Sequence, residues 1–197
     1  MLNVSINSFV SFYYQVKQPV TTASKMGNTK LTEALEVLAD QVASYCRTCG
    51  PIAVVGVRSR GDILAQRLIT LLEALGVKID QQGVLDITMY RDDLDNVGGQ
   101  VRVRATDIKF DISDYTIILV DDVIFTGRTT RAALDALTDL GRAKAIRLAV
   151  LVDRGGRELP IQPDFVGLKQ PQTQAKIHVR FKETDGEDNI IFDADGR

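Results

Sequence analysis

Residues 117–137 read IILVDDVIFTGRTTRAALDAL. Four apolar residues, Ile117 to Val120, suit a strand covered on both faces. They run directly into Asp121 and Asp122, and after Val123, Ile124 and Phe125 come Thr126, Gly127, Arg128, Thr129 and Thr130. Ala133, Ala136, Leu137 and Leu140 then recur at helical spacing, up to a closing Gly141. Strand, charged turn and helix in that order form the repeating unit of an α/β fold.

The turn has chemistry of its own. At the start of a helix several backbone N–H groups are unpaired, and the helix dipole adds partial positive charge. Glycine lets the backbone approach a ligand closely and threonine hydroxyls add donors, so Thr126 to Thr130 suit a phosphate monoester. Like charge keeps the two aspartates from serving that phosphate. They suit a sugar diol, or Mg²⁺, which prefers oxygen ligands and keeps water around itself. Phosphate at one end and a diol or metal at the other points to a phosphorylated sugar.

Outward from this centre the alternation continues. IAVVGV (52–57) is a second continuous apolar run, followed by a helix pattern at Ile63, Leu64, Leu68, Leu71, Leu72 and Leu75 that Gly76 closes. Leu31, Ala34, Leu35, Leu38, Val42 and Tyr45 predict an earlier amphipathic helix with Asn28 or Thr29 as its cap. LDITMY (85–90) reads as a strand by alternation, RDDLDNVGGQ as a mobile connection and VRVRA as a partner strand returning in a hairpin. AIRLAVLV (145–152) is another buried strand, followed by DRGGRELP and short strand candidates in DFVGL, IHVRF and NIIF. The expected fold is α/β with a mainly parallel sheet flanked by helices. Ligands of such sheets bind beyond the carboxyl ends of the strands, which selects the loops VRSRGD, DDVIFTGRTT and DRGGR.

Bulk properties bound the alternatives. The 197 residues suit one substantial domain, and 45% hydrophobic with 25% charged residues is ordinary globular composition. A net charge of −2 exerts no global pull on nucleic acid or membrane, so anion binding must be local. No apolar run is long enough to span a bilayer. Cys46 and Cys49 form one CxxC, but His178 is the sole other Cys or His, too few ligands for zinc. Thiols in a reducing cytosol, and hence a cytoplasmic protein, are the expectation. His178 lies in an alternating strand pattern, so nucleophilic triads are not expected. A Walker A loop is absent, and a receiver domain would open on its aspartate pair rather than carry it after residue 120. Residues 1–30 contain three lysines, no acids and no clean period. They predict a poorly ordered extension before a domain over 31–197, with Met26 a candidate start of translation.

VDDVIFTGRTT resembles the phosphoribosyl pyrophosphate (PRPP) signature of type I phosphoribosyltransferases. With VGVRSRG, DITMYRDDL and LAVLVDRGGRELP, the chain from about Thr32 to about Phe181 is similar to the PyrR family of pyrimidine operon regulators, whose members resemble uracil phosphoribosyltransferases in activity. The resemblance implies a type I phosphoribosyltransferase fold with a flexible flap and a small hood. It also implies transfer of the phosphoribosyl group from PRPP to a base, uracil giving UMP and pyrophosphate, with Mg²⁺ as cofactor. A purine-type enzyme is the runner-up.

By that resemblance Asp121 and Asp122 face the ribose hydroxyls, and Val123 to Phe125 lead into the phosphate cradle of Thr126, Gly127, Arg128, Thr129 and Thr130. Ser59 and Arg60 match the pyrophosphate loop, in which a cis peptide is common, and Asp121, Asp122 and Arg60 carry catalysis. Tyr90, Arg91, Asp92 and Asp93, with the loop up to Arg104, match the flap. Val152, Asp153 and Arg154 match the hood over the base, with Asp153 a metal candidate through water. The transition state at ribose C1 is oxocarbenium-like, so charge on the leaving pyrophosphate needs electrostatic support and the closed flap excludes water.

Family members can also bind leader mRNA, which makes RNA the alternative partner, and a homodimer or tetramer is the family expectation. RNA binding needs clustered basic residues. Here the first helix carries Glu33, Glu36 and Asp40 with no basic residue between Leu31 and Tyr45. The loop after the hood has Gly156 and Gln162, where the family pattern tends to His and a basic residue; Arg154, Arg157 and Lys169 remain. The pattern favours transferase chemistry over RNA binding.

Overall fold

The computed structural model describes residues 24–25, 27–92, 105–170 and 175–193. In chain order they form β1 (Ser24–Lys25), α1 (Gly27–Cys46), β2 (Ile52–Val57), α2 (Gly61–Ala74), β3 (Gln81–Leu85), β4 (Thr116–Ile124), α3 (Arg128–Leu140), β5 (Ala145–Asp153), β6 (Phe165–Lys169), β7 (Lys176–Arg180), α4 (Lys182–Asp185) and β8 (Asn189–Asp193). A parallel sheet in the order β3-β2-β4-β5-β6 carries the core, and β1, β8 and β7 make a small antiparallel sheet beside it.

The apolar run of β4 shows why the sheet needs two covers. Side chains alternate between faces along a strand. Ile118 and Val120 enter one core cluster with α1 and α2, whereas Ile117 and Leu119 enter a second with Ala133 and Leu137 of α3. Both faces are therefore dry, as the uninterrupted hydrophobicity implied.

Close packing at the centre depends on Gly61. A Cβ there would lie 2.6 Å from the Val120 carbonyl oxygen, backbone against backbone. Gly61→Ala is expected to push α2 off β4 and cost about 1–3 kcal/mol. A lower urea midpoint at unchanged m-value would register it, and an unchanged midpoint would refute the packing argument.

Three expectations are corrected. LDITMY is not a strand throughout: β3 occupies Gln81–Leu85, and Thr88–Tyr90 form a 3₁₀ turn. Leu85 pairs with Val57, the last residue of β2, so the ladder ends there, and the Asp86 carboxylate accepts the Thr88 amide at 2.8 Å to turn the chain. The expected partner VRVRA falls mainly on residues 101–104, outside the described residues; the described return is Asp107, bridged antiparallel to Val84.

Second, β4 does not stop at Val120. It continues through the aspartates to Ile124, because β5 runs on to Asp153 and supplies partners, Val123 to Val152 and Ile124 to Asp153. Third, order begins before residue 31. Ser24 and Lys25 pair with β8, and α1 starts at Gly27, whose amide donates to Asn189 Oδ1 at 3.0 Å, so the expected caps Asn28 and Thr29 lie inside the helix. Among the described residues no helix is long and apolar enough to cross a membrane, and no group of three or more His, Cys, Asp or Glu could hold a metal. Burial, with Cys49 alongside, pushes the Cys46 thiol up to about 12, which leaves it protonated and inert. His178 lies on the exposed face of β7.

Candidate functional site

The sheet changes direction between β2 and β4. From β2 the chain passes through α2 to β3 on one side; from β4 it passes through α3 to β5 on the other. The two strands are neighbours, with Gly56 opposite Val120, so the loops leaving their carboxyl ends diverge and open a crevice. The pyrophosphate-loop candidates lie in the loop that leaves β2, and the aspartate pair lies in the last residues of β4, just before its own loop.

Asp121 is 5% exposed and Asp122 half-buried. Each spends one oxygen on the next amide, Asp122 N to Asp121 Oδ1 at 3.0 Å and Val123 N to Asp122 Oδ1 at 2.9 Å. Burial raises the carboxyl pKa of both; Asp122 raises Asp121 further, while the Val123 amide and then the charge of Arg60 pull Asp122 back down. Two desolvated acids side by side are a cost to the apo protein. Ligand hydroxyls or a cation offset it.

Gly127, in the left-handed region at φ 92°, turns the chain into α3, with its carbonyl accepting the Arg131 amide. Gly127 has no side chain to cap the helix and Thr126 Oγ1 takes only the Arg128 amide, at 3.4 Å, so the other first-turn amides are donors for a ligand. Thr130 is buried and Thr129 exposed. Thr126 braces the loop, its carbonyl accepting the Glu158 and Leu159 amides at 3.0 and 3.2 Å. Arg128 instead pairs outward with Asp92 at 2.6 Å and Glu158 at 2.8 Å. Val123 and Ile124 sit in the strand, Ile124 buried, and contribute backbone rather than side chains.

The opposite loop has a cis peptide at Arg58–Ser59 and a positive φ of 74° at Arg60. Ser59 is exposed. Nε of Arg58, 4.0 Å from Asp62 Oδ2, and Nε of Arg60 are buried without a hydrogen-bond partner, and buried donors of that kind call for an acceptor. Arg60 Nη2 donates to Asp185 at 3.0 Å.

The hood residues differ in how they present themselves. Val152 is fully buried in the sheet core, so its side chain does not reach a ligand. The Arg154 amide donates to the Ile124 carbonyl at 3.0 Å, and its guanidinium lies 3.9 Å from the centre of the Phe125 ring, which is 41% exposed. Gly156 lies flat against that ring, where a Cβ would meet it at 2.3 Å. Asp153 Oδ1 accepts the Gly155 amide at 2.8 Å and Arg157 Nη2 at 2.7 Å.

Arg157 is the residue that sequence reasoning misplaced. Counted as a charge available to RNA, it is instead the tie of the hood loop, donating also to the carbonyls of Ile161, Phe125 and Gly155 at 3.0, 2.9 and 3.2 Å. Asp153, Gly155 and Ile161 lie within four residues of it, but no helix or strand period marks them, and the path of the loop brings them to one guanidinium.

At the flap root, Tyr90 Oη donates to Asp139 at 2.6 Å, and Arg131 donates to the Tyr90 carbonyl and pairs with Asp92. Arg91 is exposed, while Asp93 and Arg104 lie outside the described residues. The structure thus joins the flap root to α3 and the phosphate loop. A hollow of about 310 Å³ lined by Cys46, Cys49, Pro51, Lys78 and Asp80 opens at the amino end of β2, remote from this chemistry. The carboxyl edge, not this hollow, is the candidate site.

Fold and site define a phosphoribosyltransferase: the family model of the phosphoribosyl transferase domain matches residues 28–185. Structural neighbours include the hypoxanthine phosphoribosyltransferase of Trypanosoma cruzi (TM-score 0.66, 20% identity, 86% of this chain and 95% of that one). The HGPRT-ase of Leishmania tarentolae is another (TM-score 0.65, 16% identity, 89% and 98%), and both likenesses show the fold. The Bifunctional protein PyrR of Deinococcus radiodurans is 47% identical over 174 residues, 87% of this chain and 94% of the relative. That of Thermus thermophilus is 46% identical over 169 residues, 85% and 93%. The chain belongs to the PyrR family.

Proposed function

We propose that the chain moves the 5-phosphoribosyl group of PRPP to uracil, giving UMP and pyrophosphate. The observation that carries this reading is the convergence at one switch point of the Asp121–Asp122 pair, the open amides at the start of α3 and the orphaned Arg58 and Arg60 donors. A ribose diol, a 5-phosphate and a pyrophosphate are the three groups that these features match.

The donor set fits Mg²⁺. Such an ion takes one or two protein carboxylates and completes its shell with water and phosphate oxygens, so Asp121 and Asp122 would hold it beside the substrate, whereas Asp153 is tied to Arg157. When bound it would supply charge neutralisation of the pyrophosphate. The chain's own residues orient the rest. The α3 amides fix the 5-phosphate, the acids align the ribose hydroxyls and favour positive charge on the sugar, and Arg60 stabilises the departing pyrophosphate. The flap root held by Arg128 and Arg131 positions the segment that excludes water. Uracil rests on the hood's resemblance to the family, read through backbone groups of the 153–157 loop.

Turnover of PRPP with uracil, cytosine, hypoxanthine, guanine and orotate tests the reading in one panel. Uracil alone is the expected acceptor. Turnover with a purine would overturn the base assignment but keep PRPP, and no turnover with any base would overturn the transferase reading. The relatives' name, bifunctional, motivates an RNA arm. Glu33, Glu36 and Asp40 form an exposed acidic face on α1, and Arg157 is consumed internally, so no specific gel shift with a pyrimidine-leader hairpin is expected at physiological salt.

A further inference from the structure

Arg60 lies in a three-residue turn, and its long, charged side chain is 38% exposed. Unrestrained, such a side chain spreads over many rotamers, and ordering it on each binding event costs conformational entropy. Here a carboxylate 125 residues further along holds it: Asp185 Oδ1, 3.0 Å from Arg60 Nη2. The acceptor is itself fixed, since Asp185 Oδ2 takes the Phe181 amide at 3.0 Å and the Thr184 hydroxyl at 3.1 Å.

The whole 181–188 segment is bolted to α2. Arg67 donates to Glu183 at 2.9 and 2.6 Å and to Asp188 at 2.6 Å, and its guanidinium lies 4.9 Å from the centre of the fully buried Phe181 ring. Arg60 is thus anchored through Nη2, feels the charge of Asp122, and keeps a buried Nε without a partner. We infer that Asp185 is a positioning residue for the proposed reaction, holding the Arg60 guanidinium pre-aimed at the pyrophosphate so that the anion meets an ordered donor. The Phe181 amide, the Thr184 hydroxyl and Arg60 hold the Asp185 carboxyl below its ordinary range, so the anchor stays charged at neutral pH.

The inference rests on the transferase reading, and its test separates the two. Asp185→Asn keeps an acceptor for the Phe181 amide but removes the charge that holds Arg60. It is expected to raise KM for pyrophosphate in the reverse reaction from UMP about tenfold, with kcat changed less than about threefold. Calorimetric titration of magnesium pyrophosphate should show the same tenfold loss without turnover. Glu183→Gln and Asp188→Asn loosen Arg67 and leave Arg60 anchored, so their KM should stay within about twofold of wild type. In an Arg60→Ala background, Asp185→Asn should have no further effect.

Equal KM values for Asp185→Asn and wild type would overturn the inference. So would a matching rise in the Arg67-partner variants, or an undiminished effect in the Arg60→Ala background. A wild type that binds pyrophosphate with the expected Asp185 dependence yet transfers to no base would instead sink the transferase reading alone.

Discussion

The double variant Asp121→Asn, Asp122→Asn is expected to lose at least about a thousandfold in turnover from PRPP, about 4 kcal/mol of transition-state stabilisation, while melting higher than wild type. Both effects have one cause. In the proposed reaction the acids face a cationic sugar and a diol, and without ligand they are two desolvated like charges. Asparagine keeps a side-chain oxygen to accept the next backbone amide but removes the charge, so catalysis falls and the apo fold gains about 0.5–2 kcal/mol. At about 2–4 °C per kcal/mol for a chain of this size, thermal unfolding resolves the gain.

The pH dependence fixes the sign. Both carboxyls have folded-state pKa values raised above the unfolded value near 4, so in the window between the two the folded protein binds more protons. Stability therefore falls as pH rises through that window. The amide variant lacks this slope, and its advantage should appear at neutral pH and vanish below about pH 4. Unchanged turnover would remove the assigned roles; a variant no more stable than wild type at pH 7 would remove the burial argument.

Arg157→Ala is the second large effect, expected to cost about 3 kcal/mol and about 6–12 °C of melting temperature. The Arg157 and Asp153 side chains are 11% and 16% exposed, so truncation leaves a largely buried carboxylate without its cation and three carbonyls without a donor. Arg157→Lys should recover part of the loss, because one ammonium cannot span acceptors on both sides of the loop as a planar guanidinium does. A solvated arginine reserved for RNA would leave stability unchanged on truncation, so urea titrations of the two variants decide between a structural tie and an interface charge.

The sheet and its helices were legible where a pattern is local. Alternate residues of β4 face opposite helical layers, which is what its unbroken apolar run demanded. The helix after Gly127 and the acid pair before it were equally plain, and the rule about carboxyl ends placed the 58–60 and 125–127 loops together before any coordinates. LDITMY misled because a strand needs a partner as well as alternation, and β2 ends opposite Leu85. The same requirement carried β4 through its aspartates, since β5 offers partners to Asp153.

By itself, then, the sequence determined the α/β class, the glycine turn that opens α3 and the acids before it. Hydrophobic period, helix-start chemistry and charge order are properties of neighbours along the chain. Tertiary structure alone decided that Arg157 ties the hood to Asp153, that Asp185 anchors Arg60, and that Ser24 and Lys25 complete the small sheet on β8. Two of those three pairings, Asp185 with Arg60 and Ser24–Lys25 with β8, join residues more than a hundred positions apart. A charge or an edge amide carries no mark of its partner until the folded path brings the two into contact.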